Sequence, residues 1–131
     1  MTDFQEILNI AQAAFADFAA GLANGDWQPF LDRLSNDVTF WFPAGPFKGH
    51  NQGKEKIAAF LAMVPQVFPG GLTLEVVQIT SNATTVVFEV RSTGRMGSEP
   101  YENQAAIAFD LRDGQICAYR EYLGVVFQLG Q

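Results

Sequence analysis

The apolar pattern of the chain changes period at Pro69-Gly70-Gly71, and that break constrains the fold more than any other feature. Before it, hydrophobic residues recur at helical spacing. Phe4, Ile7, Leu8, Ala11, Ala14, Phe15, Phe18 and Leu22 fall on one face of a helix over 3–24. Gly25 predicts its stop, and Asp26 the N-cap of a short second helix over 27–34. Asn36-Asp37 predicts a turn. DVTFWFP (37–43) then predicts a strand that ends at Pro43. AGPFKGHNQG predicts a loop, and KEKIAAFLAMVPQV a helix over 54–67 that Pro65 ends or kinks.

After the break the apolar residues alternate instead. Strands are predicted over 72–80, 84–94, 101–111 and 116–127. Arg112-Asp113-Gly114-Gln115 predicts a tight hairpin, because Asp-Gly readily supplies the positive φ angles. Helices first and strands afterwards imply an α+β domain, its helices packed on one face of a curved sheet. The 131 residues, without linker or repeat, fit one domain over 1–131.

Several function classes are disfavoured by composition. A net charge of −6 with no Lys/Arg cluster repels phosphate backbones, so nucleic acid is not an expected partner. One histidine, His50, and one cysteine, Cys117, supply too few soft ligands for a zinc site or a disulfide framework. No cofactor or metal is expected. The start MTDFQEIL does not resemble a secretory signal, and no apolar run is long enough to span a membrane. A cytoplasmic setting is the expectation. Twelve phenylalanines suit both a core and an apolar ligand pocket.

Polar residues on apolar faces are the candidate chemistry. The stretch ICAYREYLGVVF (116–127) sets Arg120-Glu121 inside a strand pattern. Glu121 shares parity with Tyr119 and Leu123, and Arg120 with Ala118 and Tyr122. Facing a pocket, Glu121 would have its pKa raised by desolvation and would suit proton transfer near neutrality. Facing out, it is half of a cross-strand ion pair. Tyr101 and Asn103 share the mostly apolar row of Ala105, Ile107 and Phe109, so they bind either a ligand oxygen or the loop 95–100. Glu89 and Arg91 lie opposite Val86, Phe88 and Val90, which predicts an outer-face ion pair. Phe18, Phe40, Phe42, Phe60 and Phe88 are candidates for a wall that serves as core and pocket lining together. Trp27 is expected to pack the second helix down, Cys117 to be a packed thiol, and His50 to be a solvated loop residue.

LANGDW (22–27), DVTFWFPAGPFKG (37–49), PYEN (100–103) and FDLRDGQICAYREY (109–122), in that order, resemble the SnoaL-like branch of the NTF2-like superfamily. Its relatives include ketosteroid isomerase and limonene epoxide hydrolase. The resemblance implies a cystatin-like, cone-shaped α+β barrel with three N-terminal helices on a strongly curved, mostly antiparallel sheet. It also implies a deep apolar pocket for a small molecule, and a homodimer formed through the sheet. The ketosteroid isomerase apparatus maps onto Phe42, Phe18 and Ile107, so its polar groups are replaced by hydrocarbon. Of the epoxide hydrolase relay only the last acid is matched, by Glu121. The other relay positions fall on Val86 and Phe88, and the water-holding pair on Phe40 and Phe42. Leu123-Gly124 stands where many family members carry an Asp. What the resemblance implies is an isomerase or cyclase that uses Glu121 for proton transfer on a carbonyl compound, with Tyr101 or Asn103 polarising an oxygen. The alternatives are a non-catalytic protein that binds an apolar small molecule, an epoxide-hydrolase-like hydrolase, or a module whose sheet face serves assembly.

Overall fold

A computed structural model describes residues 3–124 and Gly130. Helix α1 spans Phe4–Asn24. Asp3 caps its start by accepting from the Glu6 N–H, and Gly25, at φ 81°, closes its end in the left-handed conformation. Helix α2, Gln28–Leu31, is a single turn, shorter than the 27–34 expected. Trp27, not the expected Asp26, stands at its N-cap, although the Asp26 carboxylate accepts from the Gln28 N–H at 3.3 Å. Strand β1 (Leu34–Phe42) takes over at Leu34 and absorbs Asn36-Asp37, where a turn was expected. Its pairing shifts register between Leu34 and Thr39, so those polar residues bulge outward while the strand continues.

The stretch expected to be a loop holds a short 3₁₀ turn, Gly45–Phe47, and strand β2, Gly49–Gln52, paired antiparallel with β1. His50 therefore sits opposite Trp41 on a strand, not in a loop, and is exposed as expected. Helix α3 covers Lys54–Val67, and Pro65 lies inside its last turn without ending it. Four long strands follow: β3 (Leu72–Ser81), β4 (Thr85–Met96), β5 (Glu99–Arg112) and β6 (Gln115–Gly124). Residues 125–127 of the expected last strand lie outside the described residues. Asp113 (φ 53°) and Gly114 (φ 78°) form the β5–β6 hairpin turn as the sequence predicts.

The six strands form one curved sheet in the order β2-β1-β6-β5-β4-β3. All neighbours are antiparallel except β1 and β6. The helices pack on its inner face. Phe15, Phe18 and Phe30 from the helices meet Phe88, Phe109 and Tyr119 from the sheet, with Phe15 stacked on Phe88 at 4.2 Å between ring centres. Each fully buried ring of this kind contributes about 1.5–3 kcal/mol. Trp27 is buried against Phe18 and Phe30, which pins α2 to α1.

Candidate functional site

The sheet curls away from α3, and the space between them stays open as a cavity of about 350 Å³. Helices α1 and α3, strands β3 to β6 and the end of β1 wall it, together with the 44–46 segment. Most of the lining is hydrocarbon: Phe18, Phe42, Phe60, Val90, Ala105 and Ile107 among others. Five polar side chains break that surface: Ser92, Tyr101, Asn103, Tyr119 and Glu121.

Their positions follow from strand parity. On β6, Cys117 is the extra residue of a bulge, since Asp110 pairs with Ala118 but Leu111 with Ile116. From there to the strand end the alternation is regular, so Tyr119, Glu121 and Leu123 all face the cavity. Arg120 faces the other way. Its guanidinium grips Asp110 with two hydrogen bonds, at 2.6 and 3.0 Å. Burial alone would push the Asp110 carboxyl up, but the bonds from Arg120 and Thr85 outweigh it and hold the pKa below the usual range. The neighbours Arg120 and Glu121 are thus not partners of each other.

Glu121 has instead one protein partner among the described residues, the Tyr119 hydroxyl, which donates to Oε1. Tyr119 is 1% exposed and wedged between Phe18 and Phe109. Burial, reinforced by the adjacent Glu121 charge, raises its pKa well above the ordinary tyrosine value, so it stays a donor. Glu121 is itself pushed up to about 7, because desolvation in the apolar wall outweighs the Tyr119 hydrogen bond. A half-buried carboxyl that changes charge near neutrality is the main chemical resource of the cavity.

The second polar group lies farther along β5. Asn103 Nδ2 donates to the Tyr101 hydroxyl oxygen at 3.0 Å, which leaves the phenolic hydrogen free for another acceptor. Burial raises the Tyr101 pKa, and the Glu121 charge adds to the rise, so both groups feel one chamber. The loop 95–100 does not tie down Tyr101 or Asn103, since they bond to each other.

Phe18, Phe42 and Phe60 lie on the cavity wall with Tyr101, Asn103 and Glu121. Phe40 and Phe88 do not: both are fully buried core, Phe40 stacked on Phe60 at 5.1 Å and Phe88 on Phe15. Core and pocket wall are successive layers at these positions rather than one surface. Arg91 pairs with Glu75 across the outer face at 3.8 Å, so Glu89 is not its partner. Ser92 escaped the sequence reading. It continues the inward row Val86, Phe88, Val90, and a polar residue on that row was the same signal that singled out Tyr101 and Asn103. Among the described residues no cluster of His, Cys, Asp and Glu suits a metal ion. No helix among them is long and apolar enough to cross a membrane.

A helix-backed curved sheet closed around an apolar cavity is the NTF2-like, cystatin-like class of fold. The chain belongs to the SnoaL-like domain family, whose model matches residues 15–119. An NTF2-like protein from Anabaena variabilis ATCC 29413 is 45% identical over 96% of each chain, with a TM-score of 0.90. More distant structures show the same fold. An epoxide hydrolase of the LEH-like kind from M. tuberculosis is 18% identical, covering 92% of this chain and 84% of its own, at a TM-score of 0.70. A Catenulispora acidiphila protein with a ketosteroid isomerase-like fold, in complex with trimethylamine, is 15% identical over 83% of each chain, at 0.71. No protein of curated function matches the chain.

Proposed function

We propose that this protein is a cofactor-independent proton-transfer enzyme, an isomerase or cyclase acting on a small apolar carbonyl compound. The observation that carries this reading is Glu121, a cavity carboxyl with a pKa raised to about 7 and an immobilised hydroxyl donor beside it. In the unprotonated form, Glu121 takes a proton from carbon next to the substrate carbonyl. The C–H electrons move onto the carbonyl oxygen, giving an enolate inside the apolar chamber. Where the substrate carries a β,γ double bond the enolate is a dienolate, and returning the proton to its γ-carbon shifts the double bond into conjugation and completes an isomerisation. Attack of the enolate carbon on a second carbonyl closes a ring, and the proton then goes to the new alkoxide.

The apolar wall argues for a second reading, a binding protein without turnover. Phe18, Phe42 and Ile107 line the cavity where ketosteroid isomerase carries its polar groups. An epoxide-hydrolase relay has less support, since Val86 and Phe88, at two of its positions, are fully buried hydrocarbon.

Hydrogen exchange separates the first two readings. Proton NMR in D2O should show 2-tetralone losing its α-hydrogens faster with the protein than in buffer. Glu121→Gln should slow that exchange by about 10²–10⁴-fold. Saturable binding of 2-tetralone with no exchange above buffer would favour the binding protein instead.

A further inference from the structure

We infer that Ser92, together with Asn103 and Tyr101, forms a second polar station that binds a distal oxygen of the ligand, with Ser92 as a specificity-determining residue. The substrate class is then an apolar molecule of one or two rings with oxygen functions at both ends. This rests on the reading of the cavity as a small-molecule site and adds the far end of that molecule.

Ser92 is only 6% exposed, yet it lines the cavity. Among the described residues its hydroxyl makes no side-chain hydrogen bond, and the oxygen opens onto the cavity rather than being sealed in the core. A hydroxyl that opens onto an apolar cavity without a protein partner is a group prepared for a ligand or for the water the ligand displaces. Ser92 is also not isolated. It is the direct cross-strand neighbour of Asn103, which bonds to Tyr101. The three therefore present a hydroxyl, an amide and a phenolic hydrogen from adjacent strands, enough to donate to and accept from one oxygen.

The spacing sets the ligand. Glu121 pairs with Ile107, and Asn103 lies farther along β5 by about 13 Å at the ordinary strand rise. Side chains leaning in from both ends shorten that gap, and the stretch between them is walled by Ala105, Val90 and Ile107. The chamber holds roughly the volume of a dozen water molecules, which fits a one- or two-ring skeleton. A compound with one oxygen satisfies only the Glu121 end and leaves the Ser92 end unpaired.

Two probes of equal skeleton test this: 2-naphthol, with one hydroxyl, and 2,6-dihydroxynaphthalene, with two. Titration calorimetry should show the diol bound about tenfold more tightly than the mono-ol by the wild-type protein. By weakening diol binding, Ser92→Ala should erase most of that preference. Ser92→Thr, which keeps the hydroxyl, should retain it. An equal preference in wild type and Ser92→Ala would overturn the inference while the cavity reading stands. Failure of both naphthols to bind would overturn the cavity reading, and this inference with it.

Discussion

At the scale of single residues, Glu121 couples the chemistry to stability. Its carboxyl titrates near 7 in the folded chain against 4.5 for an unperturbed group. Between those values the folded protein keeps a proton that the unfolded chain has released, so stability falls as pH rises through this window and the loss is complete above about 7. The full linkage amounts to roughly 3 kcal/mol. Glu121→Gln removes it. Urea denaturation should show the stability advantage of the variant over wild type growing by about 2 kcal/mol from pH 5 to pH 8. A constant difference would mean that the carboxyl is not desolvated. The sequence brought Glu121 to attention and left its orientation open, because parity within one strand does not say which face is the inside. The cross-strand grip of Arg120 on Asp110 resolves that, and it depends on a register the sequence does not display.

At the scale of elements, the wall depends on close approaches that propensity alone does not reveal. Gly21 in α1 lies under the Trp27 ring, and a Cβ there would come within 2.4 Å of it. Alanine is the better helix former by about 1 kcal/mol, yet Gly21→Ala should destabilise the protein by about 1–3 kcal/mol, because Trp27 is packed on both sides. Chemical denaturation checks the sign, and Trp27 emission should shift red as the indole is displaced. Neutral or raised stability would contradict the packing described. Helices α1 and α3 and strands β3 to β5 were legible because strong apolar periodicity and Gly or Pro punctuation agree there. Strand β2 was not, since GHNQ carries no alternation and pairs only through its backbone with β1. Asn36-Asp37 misled for a related reason: turn-forming residues were accommodated as a bulge, with Ser35 and Arg112 bonding the Asp37 carboxylate. Phe40 and Phe88 were placed on the pocket because parity separates inward from outward but not core from cavity.

At the scale of the whole molecule, one sheet has two faces with different duties. The outer face carries ion pairs and the Trp41–Tyr122 stack. The inner face is solid aromatic core at one end and open chamber at the other. Resemblance to a family conveyed that architecture, and the comparisons bear it out, but family membership leaves the reaction open because one fold hosts many activities. What narrows it is a carboxyl held on an apolar wall beside the Tyr119 hydroxyl. The central claim is therefore that the fold keeps Glu121 desolvated and poised near neutrality. The most direct measurement is a carbon-13 NMR titration of glutamate side-chain carboxyls, with Glu121→Gln to assign the resonance. The account predicts one carboxyl with a midpoint near 7, absent from the variant. A midpoint near the ordinary glutamate value for Glu121 would contradict it.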